Sequence, residues 1–79
     1  METEKFCITI ADLPDRENLV AEITYENVQW AEISKENEEV IIHFYTHPRN
    51  RYWEFPLEEA LTILEKAKKR FLEMQIIRE

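Results

Sequence analysis

The sequence predicts an α+β fold in which an antiparallel β-meander of four to five strands packs against one C-terminal α-helix. Three observations favour this class: apolar residues alternate over the first two thirds of the chain, the links between the alternating runs are short, and an apolar stripe of helical period follows Pro56. Short links join antiparallel neighbours, because parallel strands need a long crossover. We expect residues 1–79 to form a single domain, because a chain of this length supports one thin core.

Alternating runs predict the positions of the strands. They lie at about 4–10, 19–25, 28–34, 40–46 and 52–55. The two-residue link at 26–27 predicts a hairpin with Tyr25 opposite Val28. Continuing this register places Ile23 opposite Trp30, an aromatic–β-branched pair. Apolar residues then fall on both faces of the paired strands, which leaves either a β-bulge or a two-sided sheet.

The predicted helix spans residues 56–74. Pro56 suits the first helical position, where the missing N–H has no partner to lose. An apolar stripe follows at the i, i+3, i+4, i+7 spacing with which a helix buries one face. Its members are Leu57, Ala60, Leu61, Leu64, Ala67 and Phe71. The apolar residues at 74–77 either extend this helix or form a tail.

The chain contains no glycine. Dinucleotide-binding loops, Walker A loops and EF-hand loops all need backbone that glycine supplies, so these classes of site are excluded. Three of the four asparagines, Asn27, Asn37 and Asn50, fall at predicted turns. Because asparagine tolerates the left-handed region, we expect a positive φ at each of the three.

Charge is distributed unevenly along the chain. The net charge is −7, and residues 1–47 alone carry a net charge of −8 while residues 48–79 carry +1. Such an acidic region repels phosphate backbones and attracts basic protein surfaces, although acidity also serves solubility alone. We therefore expect a protein partner and no nucleic acid. The absence of a basic, apolar leader and of an apolar run of ~20 residues predicts a cytoplasmic protein with no membrane partner.

No combination of residues predicts catalysis, a cofactor or a metal, so we expect a protein that is not an enzyme. Cys7 is the single cysteine, which excludes an internal disulfide and a cysteine-based zinc site. His43 and His47, four residues apart on a strand, would lie roughly 13 Å apart, too far to share one metal ion. An alternative is a small RNA-binding or RNase-like site in the aromatic stretch at 43–53. Its candidate residues are His43, His47, Arg49 and Arg51.

Carboxylates near aromatic residues are the candidate partner-binding groups. Acidic side chains speed association with a basic surface, and tryptophan is enriched at the centres of protein interfaces. The candidates are Asp12, Asp15, Glu17, Glu26, Trp30, Glu36, Glu38 and Glu39. Trp30 is equally well explained as a core residue, and for Trp53 the core is the favoured explanation.

Nearly the whole chain resembles the small acidic immunity proteins of bacterial contact-dependent and polymorphic toxin systems. The resemblance rests on V-Q-W-A-E-I-S, on E-E-V-I-I-H-F-Y and on the ending Y-W-E-F-P-L-E-E-A-L-T-I-L-E-K-A-K-K-R. It implies a cytoplasmic protein without catalytic residues that binds one cognate toxin, often a nuclease, and blocks its basic cleft. Besides this function, a protein-interaction or regulatory module acting as a homodimer and the RNA-directed site remain as alternatives.

Overall fold

The computed structural model describes residues 5–14 and 18–78, and the side chains of the helix as far as Met74. The elements are β1 (Phe6–Ala11), β2 (Val20–Tyr25), β3 (Val28–Glu36), β4 (Glu39–Phe44) and α1 (Leu57–Arg78). The strands form one antiparallel sheet in the order β1-β2-β3-β4, so each strand pairs with its neighbours in sequence. The predicted α+β class and the meander are confirmed, with four strands.

Two tight hairpin turns connect β2 to β3 and β3 to β4. In the first, φ is 51° at Glu26 and 69° at Asn27; in the second, φ is 52° at Asn37 and 72° at Glu38. Positive φ at both central residues defines the type I′ turn, whose twist matches that of the flanking strands. The expectation for Asn27 and Asn37 is confirmed, whereas Asn50 has no positive φ and that expectation is wrong.

A β-bulge interrupts the pairing of β2 with β3. Tyr25 faces Val28 as predicted, but the register then shifts and Ile23 faces Ala31. The expected pairing of Ile23 with Trp30 is therefore wrong by one residue, because Trp30 is the extra residue of the bulge. A bulge places two consecutive residues opposite one partner residue. This is why Trp30 and Ala31 are both buried.

The strand predicted at 52–55 is wrong, because this segment does not pair with the sheet. Two side chains hold it elsewhere. Trp53 donates its indole N–H to the Tyr45 carbonyl oxygen at 2.8 Å, so the chain folds back on itself after β4. The Phe55 ring packs edge-on against Phe6 and Trp30 with centroids 5.0 Å apart, which carries the segment to the start of α1.

Helix α1 packs mainly across β1, β2 and β3. The backbone remains helical to Arg78, so residues 74–77 extend the helix rather than form a tail. The buried helix residues are Ala60, Ile63, Ala67 and Phe71. The buried face predicted from the apolar stripe is therefore only partly correct. Leu57 and Leu61 are exposed, and Ile63 is buried in their place. Two alanines in the contact allow close approach of the helix to the sheet.

Candidate protein-binding surface

The sheet topology collects acidic residues from two connections at one end of the molecule. Asp12 follows β1, and Glu36, Glu38 and Glu39 surround the β3–β4 turn. Because β1 and β3 run in the same direction, the connections that follow them lie at the same end of the sheet. All four carboxylates are exposed, and we call this set the acidic end. Lys35, half-buried in β3, is a cation beside it.

Within the described residues, one further acidic candidate, Glu26, does not join this set. Glu26 lies in the β2–β3 turn at the opposite end of the sheet, where its carboxylate is 3.5 Å from the Lys5 ammonium. Both side chains are exposed, so this ion pair adds little stability. Asp15 and Glu17 lie outside the described residues.

Trp30 is a core residue and not an exposed interface anchor. Its side chain is 7% exposed and its ring lies 5.5 Å from the rings of Phe6 and Phe44. The bulge accounts for this position, because it turns Trp30 toward the same core that receives Ala31. The structure thus corrects the assignment of Trp30 to the partner-binding set.

An exposed apolar surface lies beside the acidic end. Along β4, Val40, Ile42 and Phe44 are exposed, with Phe44 58% exposed. Ile42 pairs with Ile33, which belongs to the core under α1, so these alternate residues lie on the helix side of the sheet. They remain uncovered because the helix packs mainly on the other three strands.

One flank of α1 carries further exposed apolar residues. Arg70 on the opposite flank reaches β1, where its Nη1 donates to the Ile8 carbonyl oxygen at 3.3 Å. Leu61 lies nine residues before Arg70, about 180° around a helix at about 100° per residue, and so faces the β4 side. Leu57 and Leu72 project within about 40° of Leu61 and are exposed as well. We call Val40, Ile42, Phe44, Leu57, Leu61 and Leu72 the β4–α1 apolar surface.

A signal for this surface was present in the sequence. The run Val40-Ile41-Ile42 is apolar on both strand faces, and one helix covers only part of one face. The helical stripe is also wider than the buried line of Ala60, Ile63 and Ala67. An excess of apolar positions over those that one helix can bury indicates an interaction surface.

The segment after β4 is organised by His47. Its Nδ1 accepts hydrogen bonds from the backbone N–H groups of Arg49 and Asn50, at 3.0 and 3.1 Å. The ring also packs against Trp53 with a centroid separation of 4.6 Å. The Nδ1 atom is therefore occupied in holding the turn, and the Nε2 atom lies 3.4 Å from the side-chain amide nitrogen of Asn50.

A cavity of about 500 Å³ opens between this segment and the β2–β3 turn. Arg49 and Arg51 line it together with Glu26 and Glu54, so cations and carboxylates are balanced around it. Its aromatic lining comes from Tyr25, Tyr52 and Trp53. This mixture lacks the uniformly positive field that directs a phosphate backbone to a groove.

The described residues hold no group of three or more His, Cys, Asp or Glu side chains arranged for a metal ion. Cys7 is exposed on β1. Within residues 5–14 and 18–78, the one helix is too polar to cross a bilayer.

Comparison with known proteins gives no match to a family model, to a curated protein or to a solved structure.

Proposed function

We propose that this protein is a non-enzymatic inhibitor of the immunity-protein type. It binds and neutralises a basic toxin domain, of the nuclease type, through the acidic end. The observation that supports it is the convergence of Asp12 with Glu36, Glu38 and Glu39 at one end of the sheet. These carboxylates present negative charge to a cleft built to bind phosphates. Inhibition then follows from occupancy of the cleft and requires no chemistry from the inhibitor.

The neighbouring apolar residues support the same proposal. Val40 follows Glu39 directly in β4 and begins the β4–α1 apolar surface. Protein interfaces combine an apolar centre with a charged and polar rim. The carboxylates would direct the encounter, and the apolar side chains would supply contact area that excludes water.

The stiffness of the acidic turn also suits a binding protein. Asn37 and Glu38 occupy a type I′ turn of two residues, so the backbone positions of Glu36 and Glu39 are fixed by the pairing of β3 with β4. A preformed site pays less conformational entropy on binding than a flexible one.

We expect the partner to be the basic C-terminal domain of a toxin encoded beside the gene for this chain, and the test uses that domain in purified form. Association is measured by stopped flow from low salt to ~0.15 M salt, over which the Debye length falls to ~8 Å. We expect the association rate to fall by at least about tenfold, because charge steering is lost. A rate that does not depend on salt would contradict charge-directed binding.

A matched pair of triple variants locates the contact. Glu36→Lys with Glu38→Lys and Glu39→Lys changes the net charge from −7 to −1. The control carries the same change at exposed acids away from the acidic end. It combines Glu54→Lys, Glu58→Lys and Glu65→Lys. We expect the first variant to lose at least about a hundredfold in affinity and the control to lose much less; equal losses would place the site elsewhere.

A further inference from the structure

Strand β4 presents an unpaired edge on the side away from β3. It is the last strand of the sheet, and no other described strand lies beside it. Glu36 and Glu39 flank a two-residue turn, and Tyr45 N donates to the Trp30 carbonyl oxygen at 2.8 Å. In an antiparallel ladder the direction of N–H and C=O alternates, so the odd-numbered residues of β4 face β3. The backbone groups of Val40, Ile42 and Phe44 therefore point outward.

The two edge strands of the sheet differ in how far they are blocked from pairing with another strand. At β1, the Arg70 guanidinium donates to the Ile8 carbonyl oxygen and occupies part of the edge. Strand β4, with the sequence E-V-I-I-H-F, has no proline and no lysine, and its register with β3 is regular. Prolines, lysines and bulges are the common devices by which proteins block pairing at an edge. The residues of β4 whose backbone groups point outward are also the ones with exposed apolar side chains.

We propose that β4 pairs antiparallel with β4 of a second copy of this chain, with Ile42 near the two-fold axis, to give a continuous eight-stranded sheet. A two-fold interface uses the same patch on both copies, so the strand must be complementary to itself. In this register Ile42 faces its own copy, and Val40 faces Phe44 of the second copy. The row on the helix side is then apolar throughout.

Charge favours a second copy in this orientation. Glu39 is the one carboxylate of β4, and antiparallel pairing places the two Glu39 side chains at opposite ends of the paired strands. The acidic turn at 37–38 then lies beside the segment that follows β4 in the second copy, which carries His47, Arg49 and Arg51. Parallel pairing would instead place the two acidic turns together, and like charges in register oppose association.

The expected dimer is weak. Pairing of two six-residue strands buries less than the ~1,200 Å² typical of stable complexes, so dissociation in the micromolar range or above is expected. The two acidic ends remain at opposite ends of the combined sheet. The inference therefore does not depend on the proposed function, and the protein alone suffices to test it.

The first measurement is mass as a function of concentration by sedimentation equilibrium. The purified protein is studied from about 10 μM to about 1 mM at ~0.15 M salt, where repulsion between the acidic chains is screened. We expect the mean mass to rise toward twice that of the chain. A mass that stays monomeric at about 1 mM overturns the proposal.

Amide hydrogen exchange identifies the surface that pairs. As the dimer forms, protection should rise at Val40, Ile42 and Phe44, whose N–H groups gain partners. Ile41 and His43 already face β3 and should be protected at both ends of the concentration range. A dimer without alternating protection along β4 would use another surface and would overturn the proposal.

Variants separate the edge from the apolar surface of the helix. Ile42→Lys introduces a charge at the centre of the paired strands. Ile42→Pro removes an N–H that points away from β3, and an edge strand tolerates proline at such a position. We expect either change to weaken dimerisation at least about tenfold. Leu61→Lys alters an exposed apolar residue off the edge and should leave dimerisation unchanged. Wild-type dimerisation in Ile42→Lys, or loss only in Leu61→Lys, overturns the proposal.

Discussion

The Tyr45 hydroxyl donates a hydrogen bond to Glu32 Oε1 at 2.8 Å, joining the segment after β4 to a carboxyl group in β3 that is 2% exposed. The same tyrosine uses its backbone N–H to reach the Trp30 carbonyl oxygen and its carbonyl oxygen to accept from Trp53. Tyr45 thus fixes the direction in which the chain leaves the sheet. The path of the segment to α1 depends on these three hydrogen bonds.

Tyr45→Phe should destabilise the fold by about 1–3 kcal/mol, because it removes a donor from a buried carboxyl group. The loss is measured by urea unfolding with matched m-values. Tyr52→Phe is the control, since Tyr52 is exposed and its replacement should change stability by less than about 0.5 kcal/mol. Equal effects of the two substitutions would show that the hydroxyl of Tyr45 contributes nothing.

Glu38→Gly should stabilise the protein by about 0.5–1 kcal/mol. Glu38 has a φ of 72°, a region that glycine enters without the steric cost of a Cβ, and the change creates the Asn-Gly pair preferred in type I′ turns. Thermal unfolding provides the measurement. Glu39→Gly removes the same charge one residue later in β4, where glycine weakens a strand, and should be destabilising.

Periodicity was sufficient to predict the class, the meander and the helix, because alternation and the helical stripe are local properties of the chain. The bulge at Trp30 could not be located from the same information. Its position follows from Phe6, Phe44 and Phe55, which surround the indole from distant parts of the chain. The extended pattern of 52–55 was misleading, because Phe55 alternates like a strand residue yet packs under the start of the helix.

The candidate site was predicted in part. Glu36, Glu38 and Glu39 are close in sequence, so their clustering at a hairpin turn needed no tertiary information. The distribution of the other acids depends on the direction of each strand, which places Asp12 with that cluster and Glu26 at the opposite end. Exposure of the β4 residues depends on how far the helix reaches across the sheet, and sequence alone does not give that distance.

Trp30→Ala should destabilise the fold by about 3–5 kcal/mol, because it leaves a large cavity among packed aromatic rings. For a small domain this loss approaches the whole stability, so Trp30→Phe serves as the milder variant, with an expected loss of about 1–2 kcal/mol. Chemical denaturation followed by circular dichroism measures both. Trp53→Ala should cost less than Trp30→Ala, since Trp53 is half-buried; the reverse order would contradict the core assignment of Trp30.

His47→Ala should loosen the 47–50 turn while leaving the sheet intact. The change removes the acceptor for the N–H groups of Arg49 and Asn50, so we expect these two amides to exchange about tenfold faster. Exchange at the amides of β2 should be unchanged. His43→Ala, at an exposed position of β4, is the control and should leave the turn amides unaffected.

The bulge determines which face of the sheet each later side chain of β3 occupies. Up to Gln29, the strand pairs with β2 in one register; from Ala31 onward, each residue lies on the face opposite to the one that an uninterrupted ladder would give it. An uninterrupted ladder of the same residues would send Ile33 out of the core and Ser34 into it, whereas deletion of Trp30 would straighten β3 and keep Ile33 opposite Ala21. The extra residue therefore lets Trp30 and Ala31 both face one core, at no cost to the placement of the residues that follow in β3.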